Sequence, residues 1–184
     1  MKSKFLMKIF AAVLFVCVCS GCSLISPSVP DTNYYDLTFS GSERLTVPYL
    51  VVYRNFQNIS PVKMNLIYSE SNSLQVLDQY NFWTQSPENM LQRYLLNAVK
   101  SDTKAARQVV VTLSVYEFRF DIVGKKCQLG ITGRIMESHE GKKFEKNYMV
   151  EIPVETVERT AFINGMNKCA LEFTKQLVND IQKF

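Results

Sequence analysis

Five cysteines, one histidine and 17 acidic residues are the side chains from which this chain would have to build catalytic or metal chemistry. A thiolate acts as nucleophile or ligand only where neighbours lower its pKa or complete a ligand set. Cys127 and Cys169 form no CxxC and lie in no Cys/His cluster, so they offer no zinc site. His139, flanked by Glu137-Ser138 and Glu140, reads as a solvated turn histidine rather than a general base. Glu151 and Glu155 are carboxylates near the end of one predicted strand, without a partner motif. No P-loop, HExxH or nucleophile-elbow pattern occurs. The expectation is no catalytic residue, no metal and no cofactor, hence no enzyme. Cys22 is a different case. It directly follows Ser20-Gly21, and chemistry there would be done to the thiol rather than by it.

Lys2, Lys4 and Lys8 make a basic start, and residues 9–18 form an uncharged apolar run. That run is about half of the roughly 20 residues a transmembrane helix needs. With small residues after it, the segment has the anatomy of a secretory signal peptide over residues 1–21. Ser20-Gly21-Cys22 resembles the bacterial lipobox, with Cys19 where Leu is usual. The resemblance implies that the Cys22 thiol receives a diacylglyceryl group, that the chain is cut before it, and that the new α-amine is acylated. Each buried methylene contributes about 0.8 kcal/mol, so two or three chains hold a protein that one chain holds only marginally. Ser23 resembles the outer-membrane default of enteric-type lipoproteins, where an Asp would resemble an inner-membrane retention signal. The expected location is the periplasmic face of the outer membrane.

Removing residues 1–21 takes three lysines and no acidic residue, so the net charge of +4 belongs largely to the leader. The rest is near neutral and has no concentrated basic patch, which argues against nucleic acid as a partner. Lys125-Lys126 reads as a solvated hairpin turn. Of the cysteines, Cys127 and Cys169 remain as thiols. An oxidising compartment permits a bridge between them; two buried free thiols acting as small hydrophobes are the preferred reading.

Residues 22–33, rich in Ser and Pro, read as a flexible tether, and 34–184 as a single domain. Within it, residues 34–39 and 45–56 are β-prone, with Pro48 confining the second to an edge or bulge. Residues 63–69 alternate as a half-buried strand, and 74–82 form a further strand of low alternation. Ser86 as N-cap, Pro87 at the first helical position and Glu88 in the first turn start a helix. Leu91, Tyr94, Leu95, Ala98 and Val99 share its apolar face. Residues 109–122 form a long strand whose apolar phase changes near Val115-Tyr116, which predicts a bulge or bend. Two turns, at Gly124-Lys125-Lys126 and Glu140-Gly141-Lys142, make it the first strand of an antiparallel meander. Thr156 then caps a long helix with Phe162, Met166, Cys169, Ala170, Phe173, Leu177 and Ile181 on one stripe. The sum is an α+β two-layer domain, a mainly antiparallel sheet with two helices on one face. Trp83, the single tryptophan, reads as a packing anchor between a strand end and the first helix.

Tyr34-Tyr35-Asp36-Leu37, Tyr68, Tyr80, Trp83 followed by Pro87 and Leu91, the Thr112–Phe118 strand, and Ala161, Met166 and Leu171 of the last helix occur in an order that resembles the ABC-type transport auxiliary lipoproteins, the PqiC-like family. Residues 54–63 depart from the family's pattern. The resemblance implies a periplasmic lipoprotein that serves an MCE-type ABC system moving lipid between two membranes. Its partners would be the membrane, through the Cys22 lipid, and an MCE-domain protein. Edge strands such as the one near Pro48 would also allow pairing with further copies of the chain. The alternative is a structural outer-membrane assembly or secretion-associated lipoprotein of similar build.

Overall fold

A computed structural model describes residues 30–41, 44–71 and 74–184 of the chain. The expected signal peptide, Cys22 and the tether up to residue 29 lie outside the described residues. Strand β7, Gln108–Asp121, is the spine of the sheet. It buries Val109, Val111, Leu113 and Val115 on one side and continues that side with Phe118 and Phe120. Its antiparallel partner is β8, Lys126–Glu137, and the register between them slips between Val115 and Glu117. Tyr116 is the extra residue, so the predicted phase change is a bulge. Strand β9, Lys143–Pro153, completes the meander against β8.

The other edge of β7 takes two strands, both parallel to it. β3, Leu50–Asn58, runs along the first half, from Leu50 opposite Gln108 to Asn58 opposite Val115. β4, Asn65–Ser69, meets the far end, with Tyr68 opposite Phe120. β5, Gln75–Trp83, pairs antiparallel with β4, and β1, Asn33–Tyr35, lies parallel on the last residues of β5. The result is a mixed, mostly antiparallel 7-stranded sheet in the order β1-β5-β4-β7-β8-β9, with β3 beside β7. Two short parallel strands, β2 (Leu45–Val47) and β6 (Val99–Ser101), form a second sheet.

Two sequence expectations about strands are corrected. Residues 45–56 are two strands in two sheets, because Pro48, which has no N–H to give to a ladder, breaks them apart. The predicted strand over 34–39 ends at Tyr35; beyond it the chain leaves the sheet and buries Leu37.

Both helices cover one face of the sheet. α1, Pro87–Ala98, buries Leu91, Tyr94, Leu95 and Ala98 as predicted. Ser86 is its N-cap residue, but the hydroxyl accepts from the Asn89 side-chain amide at 3.0 Å and caps no backbone N–H. Val99, expected on the same helical face, is the C-cap and opens β6. α2, Arg159–Ile181, buries the full predicted stripe and packs on β8 and β9. It starts later than Thr156, with Glu158 as an N-cap that makes no side-chain cap bond. Gly165 lets this helix press against β8, since a Cβ there would come within 2.5 Å of Cys127 Sγ. Cys127 and Cys169 are buried and free. Cys127 donates to the Phe162 carbonyl at 3.2 Å and Cys169 to that of Cys127 at 3.7 Å. Burial pushes the Cys127 thiol up to about 12. At the other end of α2, Asp180 accepts from Tyr148 Oη and Lys146 Nζ, each at 3.0 Å, and from Lys183 Nζ at 2.5 Å.

Candidate functional site

The residues singled out for chemistry are not brought together. His139 is exposed in the turn between β8 and β9. Its neighbour Glu137 is buried and accepts from the Glu140 N–H and from Arg107. The Glu140 N–H above all, then the His139 N–H and Arg107, hold that carboxyl below its usual range against the effect of burial. Arg107 also donates to the Phe184 carbonyl at 3.0 Å, tying the turn to the end of the chain. Glu151 is engaged by Lys126 at 2.8 Å and by Gln128 at 2.5 Å, and Glu155 is exposed beyond the end of β9. Trp83 is 1% exposed and packs on Phe118 and Phe120, with ring centroids 5.1 and 6.0 Å away. It is a core anchor joining β5 to β7. Among the described residues no three His, Cys, Asp or Glu side chains gather as a metal site, and no helix is long and apolar enough to cross a membrane.

What the fold does build is two contrasting surfaces. The sheet face opposite the helices is polar and internally paired. Arg119 bonds Gln128 at 2.9 Å and Glu117 at 3.0 Å, Thr132 bonds Asn147 at 2.8 Å, and Arg134 meets Glu145 at 2.9 Å. A shallow trough of about 340 Å³ crosses it, lined by Asn55, Gln57, Thr112, Ser114, Arg134 and Glu145. Tyr116, freed by the bulge, lies across Gly130 and directs its hydroxyl to the Tyr148 carbonyl at 3.4 Å.

The second surface is the edge formed by β5 and β1. β1 covers only residues 81–83 of β5; among the described residues 75–77 pair with β4 alone, and 78–80 lie in the register shift between the two. Leu74, Val76, Leu77 and Tyr80 are exposed along it, Leu77 at 56%. Tyr34 of β1, 62% exposed, extends the stripe, its ring 5.9 Å from that of Phe82. Met64 is also exposed, and its carbonyl accepts from the Trp83 N–H at 2.6 Å. Solvent-facing edges are commonly guarded by charge or by bulges. β9 carries Lys143, Glu145, Lys146 and Glu151, and β3 is bent where its register slips at Asn55, which has φ 51°. β5 carries one charged residue, Asp78, and no lysine. Its sequence signal was the low alternation over 74–82. The exposure itself depends on how far β1 reaches, which no local pattern encodes.

The chain enters the compact unit at this same edge. The compact unit begins at Thr32, and the Asn33 side-chain amide donates to that of Asn81 at 3.1 Å. Arg159, at the start of α2, lies near the Tyr35 and Tyr68 side chains.

No family model matches the chain, and no curated protein matches it in sequence. Solved structures match it in fold. An uncharacterized protein at 13% identity superposes with TM-score 0.67 over 83% of this chain and 99% of its own. A protein from Xanthomonas campestris of the DUF330 family, also 13% identical, superposes with TM-score 0.56 over 79% of this chain and 92% of its own. The chain is therefore similar in fold to a DUF330 protein.

Proposed function

We propose that this chain is a lipid-anchored periplasmic protein, held to the outer membrane through Cys22, and that it serves as the auxiliary component of an MCE-type ABC system for lipid transfer between membranes. The observation that carries the reading is the position of β1. The first element after the tether is the outermost strand of the sheet, so the anchored chain hangs from one end of it. At about 4.8 Å between strands, β9 stands roughly 24 Å away across the sheet. With the β1 corner toward the anchoring membrane, the polar trough and the β9 edge are offered away from it. An MCE-domain protein reaching from the inner membrane would meet that end of the domain. The PqiC-like order of aromatic residues and the fold shared with a DUF330 protein support the same reading.

Pull-down of the mature domain with an MCE-domain protein tests it. Binding at micromolar concentration is expected, and Arg134→Glu, which reverses charge in the trough, is expected to weaken it. Failure to bind any MCE-domain protein at that concentration would sink the proposal. The anchor has its own test: mass spectrometry of the purified N-terminus should find an acylated Cys22.

A further inference from the structure

The β5–β1 edge exposes Leu74, Val76, Leu77, Tyr80 and Tyr34 between the exposed Gln75 and Gln79 and lies where the tether joins, and three observations bear on what covers it. The first is its backbone. The N–H groups of Tyr80 and Asn81 both donate to Asp78 Oδ1, at 2.9 and 3.1 Å. The β4 register slips at the same place, from Ile67 opposite Leu77 to Asn65 opposite Phe82. An added partner strand would find its ladder interrupted there, so the edge offers side chains more than backbone groups. The second is charge. Asp78 is the one charged residue of β5, and its carboxylate accepts from Tyr80 and Asn81 and lies in the field of Arg159. The cations at this corner include Arg159 and the exposed Lys63, next to Met64, while Arg93 is paired with Asp36 just after β1. Exposed Tyr and Leu with flanking cations form a set suited to a membrane interface, where amphipathic rings sit at headgroup level.

The third is the tether. From Cys22 to Asp31 the chain spans about 35 Å at most, even fully extended. A lipid on Cys22 therefore holds the whole domain within reach of the bilayer, attached at the β1 corner, and the side chains of each surface decide which end meets it.

On the reading that Cys22 carries the anchor, we propose that the β5–β1 edge rests on the membrane itself and inserts Leu77, Tyr80 and Tyr34 into the interfacial region, so that a lipid surface is the ligand of this edge. The domain then has a fixed pose on the membrane, with its polar trough facing the periplasm.

The test uses the acylated full-length mature chain, its lipid verified by mass spectrometry, in vesicles of phosphatidylethanolamine and phosphatidylglycerol. Leu77→Cys and, as a distal control on β9, Met149→Cys each carry an environment-sensitive dye; Cys127 and Cys169 are buried and stay unlabelled. Brominated lipid is expected to quench the Leu77→Cys probe and to leave the Met149→Cys probe bright. Equal, weak quenching at both positions with acylation intact would overturn the membrane pose while leaving the anchor standing. A second measurement needs no acylation. The Cys22→Ser chain is expected to partition into the same vesicles, and Leu77→Glu with Tyr80→Glu should reduce that partition roughly tenfold or more. Unchanged partition in the double variant would also overturn the proposal. An unacylated Cys22 in the native protein would remove the anchor reading on separate grounds.

Discussion

Tyr116 lies flat across Gly130, so close that a Cβ on the glycine would come within 2.5 Å of its ring and 2.7 Å of Glu117 Cβ. The bulge in β7 and the missing side chain in β8 are two halves of one arrangement. Gly130→Ala should therefore cost about 1–3 kcal/mol, the usual range for overpacking. Urea unfolding would read this as a lower midpoint at unchanged slope, and an unaltered midpoint would show that the ring moves aside freely.

Trp83 is the sole tryptophan and is buried between Phe118 and Phe120. Its emission should be blue-shifted in the folded protein and move to the red in one step on unfolding. Trp83→Ala should cost about 3–5 kcal/mol, the range for losing a large buried aromatic. Circular dichroism melts would detect the change without relying on the lost fluorophore.

Cys127 and Cys169 should behave as two protected thiols. Burial raises both, Cys127 to about 12, so neither becomes reactive between pH 7 and 9 as an exposed thiol would. Alkylation should be negligible until denaturant is added and then modify both residues. Rapid labelling of the native protein, or a mass lacking the two thiol hydrogens, would contradict this.

Asp180 gives the pH dependence. Burial alone would raise its carboxyl, but hydrogen bonds from Lys183, Lys146 and Tyr148 hold it below the ordinary value. A carboxylate depressed in the folded state contributes stability above its unfolded pKa and loses that contribution as pH falls through the folded one. Asp180→Asn should thus destabilise the protein by about 1–3 kcal/mol at pH 7. The gap from the native protein should shrink as pH drops below about 3.9, the ordinary aspartate value. Denaturant titrations of both proteins at pH 7 and in acid would show it, and a gap independent of pH would assign Asp180 a purely steric role.

The meander was legible because its signals are local: alternation in Cys127, Leu129, Ile131 and Ile135, turn residues at Gly124 and Gly141, and a phase change at Tyr116. Both helices were legible in the same way, from buried stripes at helical spacing. Their first residues were less so, because Thr156 and Ser86 look like caps by type. In the fold Glu158 takes the position expected of Thr156, and the Ser86 hydroxyl serves Asn89 instead. Pro48 was read as a constraint on one strand, whereas it separates two. The partners of those strands, β6 and β7, lie more than fifty residues further on, with Leu45 opposite Val99 and Leu50 opposite Gln108, beyond any local pattern. The β5–β1 edge was hidden for a related reason. Its residues were seen as a strand of low alternation, and only the short reach of β1 leaves Leu77 and Tyr80 uncovered.

The two parallel strands on one edge of β7 also set the order in which the molecule can assemble. A ribosome or a secretion channel delivers β3 and β4 well before residues 108–121 that must receive them. The C-terminal meander needs only neighbouring segments and can zip locally, as can the β4–β5 pair, while β3 and the second edge of β4 wait for β7. Folding is thus templated from the second half of the chain back onto the first. The interval before β7 arrives is when the nascent polypeptide most needs a holdase, and a stop codon placed before Gln108 would leave the β4–β5 pair with no partner for β3 or for the second edge of β4.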